Sequence, residues 1–148
     1  MDDFDLVHNR ICMPLADHIL EPGEANSPLF AALTEEEQDF TCMWAVESQV
    51  FNGGFCQVYF NNCGWCMRFA KRGYTRLGMS QHAALVERAM HIVKCAIARR
   101  DFDAEQPPAE LEELDDPWYR IDDVASVYGP KAAFVRANRV RFPQAKFD

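Results

Sequence analysis

Apolar side chains recur at helical spacing along almost the whole chain. Phe4, Val7, Ile11, Leu15 and Ile19 form one stripe across DDFDLVHNRICMPLADHIL, predicting an N-terminal helix that Pro14 kinks or divides. EPGEANSP, residues 21–28, is turn-rich and predicts a connector. The strongest helical signal follows. Thr34 stands three residues before Glu37, the spacing of a reciprocal capping box, and Glu35, Glu36 and Glu37 suit the positive end of a helix dipole. Phe40, Met43, Trp44, Glu47, Val50 and Phe51 then share a face until Asn52-Gly53-Gly54, which predicts a helix stop. FCQVYFNN has strand-like composition, but no partner strand is visible elsewhere, so a short helix is expected.

CGWCMRFAKRGYTRLG predicts a helix ending at Gly78. Ser80 is expected to cap the next, which places Leu85, Ala89, Ile92 and Ala96 on one face. After an acidic linker, DFDAEQPP, residues 109–129 predict two short helices, and Pro130 suits the first turn of a last helix running to about Arg141. The expected fold is all-α, a single compact multi-helix domain. Residues 1–33 form an N-terminal helix and connector packed on a core built from 34–148.

Bulk properties agree with a globular protein: 148 residues, 49% hydrophobic and 26% charged. No apolar run is long enough to span a bilayer, and Met-Asp-Asp-Phe-Asp carries the wrong charge for a secretory leader, so a cytoplasmic location is expected. Six cysteines in such a compartment read as free thiols. The net charge of −8 is unevenly spread: residues 1–50 hold eleven acids against one base, 51–100 one acid against eight bases, and 101–148 eleven acids against six bases. Acidic and basic helices pairing within the fold explain this split. So does an acidic face that repels nucleic acid and attracts basic proteins.

Three constellations carry chemistry. Cys63-Gly-Trp-Cys66 has dithiol spacing, with Arg68, Lys71 and Arg72 downstream to favour a thiolate, but no βαβ setting surrounds it. Adding His91 and Cys95 gives a possible zinc set, although Glu87 one turn before His91 explains that histidine as an ion-pair partner. Glu47 is a carboxylate on an apolar stripe and needs donors. Asn52, Gln57, Tyr59, Asn61 and Asn62 are near in sequence, so a buried network pinning the Gly53-Gly54 corner is expected in preference to a general base.

Glu47, Asn52-Gly53-Gly54-Phe55, Gln57, Tyr59-Phe60-Asn61 and Gly64 together resemble a bacterial family, the DNA mimic proteins. RLGMSQHAALVERAM, LEELDDPWYR and KAAFVRANRVRF resemble its later segments, so the likeness spans roughly residues 34–142. The family pattern has a small residue where Cys63 stands and needs no cysteine at 66, which makes the cysteine pair a local variation. The resemblance implies an all-helical, dimeric, non-enzymatic protein whose carboxylates are spaced like phosphates and occupy the DNA site of a basic protein.

That partner would be a DNA-binding regulator or, as a variant, a nuclease-type toxin. The residues expected to touch it are Glu110, Glu112, Glu113, Asp115, Asp116, Asp122 and Asp123, joined by Glu35, Glu36 and Asp39. No cofactor or metal is implied. Two rival readings remain: a thiol or zinc protein using Cys63, Cys66, His91 and Cys95, and a direct nucleic-acid binder using the basic segment 68–100.

Overall fold

The computed structural model describes residues 1–15 and 27–148, with residues 124–126 described in backbone alone. Ile19 and most of the 21–28 connector lie outside the described residues. The chain folds into helices α1 (Asp3–Val7), α2 (Pro28–Ala31), α3 (Glu35–Phe60), α4 (Met67–Arg76), α5 (Ser80–Ala98), α6 (Asp115–Ile121) and α7 (Val124–Ala137), with 3-10 turns between several of them. No strand occurs among the described residues, so the all-α expectation holds. Successive packing of α3 on α4 and α4 on α5 makes the body of the domain. The 3-10 segment Ala109–Leu114 lies across α3 and α5, and α1 lies against α7.

Helix α3 begins where the sequence places it. Thr34 Oγ1 accepts from Glu37 N (3.2 Å) while Glu37 Oε2 accepts from Thr34 N (3.0 Å). The glycine pair breaks the helix but does not end it. Gly53 (φ −165°, ψ 23°) and Gly54 (φ 77°, ψ −175°) leave helical geometry, after which Phe55 to Phe60 resume it. Gly54 is required twice over: its φ is positive, and a Cβ there would overlap the Asp115 carboxylate. FCQVYF is thus helical as expected, in the second half of a kinked α3. Gly73 lets α3 and α4 approach closely, since a Cβ would sit 2.8 Å from Met43 Sδ.

Elsewhere the pattern shifts by small amounts. Ser80 is the first residue of α5 rather than its cap, and Met79 precedes it without a capping side chain. The buried stripe of α5 is His82, Ala83, Val86, Ala89, Val93 and Ala96, one position round from the expected one; Leu85 and Ile92 flank it, half-buried. Pro130 lies inside α7, which starts at Val124, and the helix forgoes one i→i−4 bond there. Phe51, expected on the buried face of α3, is 83% exposed at the end of the regular run that precedes the kink, while Val50 beside it is fully buried.

At the N-terminus, Asp2 and Asp5 form a second capping box (2.9 and 3.0 Å). The helix then widens over His8–Cys12, where Met13 N reaches back five residues to His8 O (2.9 Å), and ends ahead of Pro14. Val7, Ile11 and Cys12 are in the core. Arg10 donates to the carbonyls of Ala145 (2.6 Å) and Lys146 (2.5 Å), and Arg139 grips Asp3 with both nitrogens (2.7 and 2.8 Å). The two ends of the described chain are therefore bound to each other.

Candidate functional site

Leu111, Leu114 and Trp118 are fully buried at spacings of three and four residues, so one face of the 109–121 segment is anchored in the core. Trp118 meets Phe55, Tyr74 and His82 edge-on, with centroids 5.4, 5.8 and 5.0 Å away. The remaining positions must then point outward. Glu110, Glu112, Glu113 and Asp116 are all exposed, as is Asp123 beyond the end of α6.

Asp115 and Asp122 are different. Asp115 Oδ1 accepts from Phe55 N (2.8 Å), capping the half of α3 that restarts after the glycines, and burial pushes its carboxyl above the ordinary value. Asp122 Oδ2 accepts from Trp118 Nε1 (2.8 Å), and its Oδ1 lies 3.6 Å from the buried His82 Nε2. Both are half-buried and internally bonded.

Glu35, Glu36 and Asp39 form a separate group on the first turns of α3, facing α4. Arg72 Nε binds Asp39 Oδ1 (2.7 Å), and Arg76 binds Glu36 Oε1 (2.5 Å), Glu35 Oε2 (3.3 Å) and Asp39 Oδ2 (3.4 Å). Glu36 and Asp39 are buried and Glu35 is exposed. Burial pushes the Asp39 carboxyl up to about 6, against the pull of Arg72 and Arg76. Acidic and basic helices pair within the fold here, which removes much of the segmental charge imbalance.

Glu47 finds its donors far away in sequence. Tyr74 Oη donates to Oε1 (2.6 Å), and Lys131 Nζ donates to Oε1 and Oε2 (2.6 and 2.7 Å). Lys131 is 3% exposed, so this is a buried ion pair joining α3 to α7, with α4 supplying the hydroxyl. The neighbours expected around Glu47 are placed otherwise. Asn61 Nδ2 donates to Gln49 Oε1 (2.6 Å), Gln57 folds against Gly53, and Asn52 is exposed. Tyr74 and Lys131 were missed. One signal was available for the second: a lone lysine opening the apolar run KAAFV mirrors a lone glutamate on the stripe of α3.

A family profile described as DMP19-like protein matches residues 31–138, from just before α3 to the end of α7. The chain belongs to this family. DMP19-like proteins are DNA mimics and generally non-enzymatic. No curated protein and no solved structure matches the chain. Within the DMP19-like span, the Asn-Gly-Gly-Phe stretch and the Leu-Glu-Glu-Leu-Asp stretch meet directly through the Phe55–Asp115 bond. Helix α1 lies outside the matched residues.

The rival chemistry can be placed against this DMP19-like frame. Cys63 and Cys66 are both fully buried. A hydrogen bond with Cys66, together with burial, raises the Cys63 thiol, and burial raises that of Cys66, the opposite of what a reactive dithiol needs. His91 is exposed on α5, with Cys95 Sγ 3.5 Å from its Nε2. Among the described residues no group of three or more His, Cys, Asp or Glu side chains is arranged to hold a metal ion. In the basic segment, Arg72 and Arg76 are bound to the acids of α3, Lys71 pairs with Glu87 (2.9 Å), and Arg99 with Asp101 (3.2 Å). No described helix is long and apolar enough to cross a membrane.

Proposed function

We propose that the chain binds a basic DNA-binding protein through the anionic face of residues 109–123 and so keeps DNA from it. One observation carries this reading: Glu110, Glu112, Glu113, Asp116 and Asp123 stand outward on a segment nailed to the core by Leu111, Leu114 and Trp118, in a chain of the DMP19-like family. The Arg88 guanidinium lies 3.9 Å from Glu113 with both side chains largely in solvent, a contact of little strength. A duplex offers phosphates to lysines and arginines, and carboxylates on a rigid support compete for the same cations in a contact that salt weakens. Glu35, Glu36 and Asp39 play no part in this contact, being matched by Arg72 and Arg76.

The partner is a DNA-binding regulator, or a nuclease-type toxin that uses a similar basic surface. The encounter is cytoplasmic, and a homodimer presents two such faces. The test is capture from a lysate of the native host at low salt, followed by elution with salt and competition by duplex DNA. A variant with Glu110, Glu112, Glu113, Asp116 and Asp123 changed to their amides is the control. Capture of a basic DNA-binding protein that duplex DNA displaces, and that the amide variant loses, is the expected result. Equal capture by the variant, or capture insensitive to salt and DNA, refutes the proposal.

A further inference from the structure

A cleft of about 440 Å³ opens between α1, α3, α7 and the link from α6 to α7. Its walls are aromatic. Phe4 packs edge-on to Tyr128 (5.0 Å between centroids), and the His8 ring packs edge-on to Trp44 (5.8 Å). Phe51 belongs to the same lining and is 83% exposed. Small-molecule sites occupy about 300–1,000 Å³ and join apolar walls to a few fixed polar groups, and this cleft has that size and that make-up. Phe4 and His8 lie outside the matched family span, so part of the wall is added by the N-terminal segment of this chain.

Among the polar residues of the lining, Glu47 and Lys131 stand apart because their bonds can be counted. An ammonium has three N–H donors, and each carboxylate oxygen has two lone pairs. Glu47 Oε1 is filled, accepting from Tyr74 Oη and from Lys131 Nζ, both at 2.6 Å. Oε2 accepts from Lys131 Nζ alone (2.7 Å). Two ammonium protons are used in this way, and Nζ otherwise lies 6.0 Å from the ring centroid of Phe4, itself a wall of the cleft. The ion pair thus keeps one donor and one acceptor in hand, next to each other, in a place where burial makes unmade hydrogen bonds costly.

We infer that the cleft binds a small, flat, neutral heterocycle with a lactam edge, an N–H beside a C=O in one ring. The carbonyl accepts from Lys131 Nζ and the N–H donates to Glu47 Oε2, two charge-assisted bonds side by side, while the ring packs between the aromatic walls. Neutrality follows from the pair. An anionic ligand would have to displace Glu47 from Lys131, and a cationic one would have to displace Lys131 from Glu47, each breaking a buried bridge that a lactam leaves closed. The inference stands apart from the proposed function, which uses the outward carboxylates of 109–123, and either can fail without the other.

The test uses the isolated protein. 2-Quinolinone is titrated in while the ring resonances of Trp44 and Tyr128 are followed by NMR. Coumarin is the comparison, since it has the same shape and carbonyl but a ring oxygen in place of the N–H. Saturable shifts at both rings are expected for 2-quinolinone, with a dissociation constant on the order of 0.1–1 mM, and coumarin should bind at least about tenfold more weakly. Phe51→Ala should weaken 2-quinolinone by about threefold and keep its advantage over coumarin. The double variant Glu47→Leu with Lys131→Met should bind the two compounds equally. No saturable shift up to the solubility limit overturns the inference, as does equal binding of coumarin to the native protein, because the cleft is then merely apolar. A preference that survives in the double variant, or an affinity untouched by Phe51→Ala, places the ligand elsewhere and overturns it too. Should the double variant not fold, the two compounds on the native protein still decide.

Discussion

Replacing Gly54 by alanine tests the kink on which the placement of the acidic segment depends. Gly54 sits at φ 77°, ψ −175°, a region that side chains disfavour by about 1–3 kcal/mol. The new methyl group would also overlap the Asp115 carboxylate, which must move and give up the 2.8 Å bond from Phe55 N. Losing that cap costs about 1 kcal/mol more. The sum is about 3 kcal/mol, which at a urea dependence of about 2 kcal/mol/M lowers the unfolding midpoint by about 1.5 M. The decisive measurement is a double-mutant cycle. Asp115→Ala alone removes the cap, so in the Gly54→Ala background, where the acceptor is already displaced, it should cost under about 0.5 kcal/mol. A midpoint shift below about 0.5 M for Gly54→Ala, or full additivity of the two losses, would show that the glycine and the aspartate are not coupled as described.

Three further outcomes follow from the same contacts. Asp39, held near 6 against an ordinary 3.8, binds its proton more tightly in the fold than in the unfolded chain, so its contribution to stability falls as pH rises from about 4 to 6. Asp39→Asn should therefore gain up to about 3 kcal/mol on the native protein between pH 4 and pH 7 in urea melts, and a pH-independent difference would contradict this. Lys131→Met or Glu47→Gln strands one member of a buried pair and should cost about 3–5 kcal/mol, whereas Glu47→Leu with Lys131→Met should cost less than either alone; a more costly double variant would show that the pair is not self-contained. Under native conditions a thiol reagent followed by mass spectrometry should modify Cys56 and Cys95 first, and Cys12, Cys42, Cys63 and Cys66 only on unfolding, because the latter four are buried. Rapid labelling of Cys63 or Cys66 would return the dithiol reading to contention.

Local rules carried the sequence reading a long way. Helical period, the Thr34–Glu37 box and the glycine break all express short-range physics, and each is present in the structure. The reading lost precision where two answers differ by little. A stripe of small and apolar residues on α5 can rotate by one position with little change in what it buries, and α7 begins about two turns ahead of Pro130, at Val124, going without the one bond that Pro130 has no N–H to donate. It failed to find the partners of Glu47, because proximity along the chain says nothing about Tyr74, 27 residues away, or Lys131, 84 away. The acids were legible as a population but not as a surface. Glu113 and Glu36 look alike in sequence, yet one projects from a segment pinned by leucines and the other lies against Arg76, and only packing separates them.

The clasp between the ends has a consequence for how the molecule is made. Arg10 and Asp3 find their partners at Ala145, Lys146 and Arg139, across separations of 135 and 136 residues. During synthesis the first helix leaves the ribosome with its mates still untranslated, and Val7 and Ile11 stay exposed to other chains while the body of the bundle assembles. Residues 139–146 are translated after everything that loop encloses, so the clasp cannot close until the whole loop has been made.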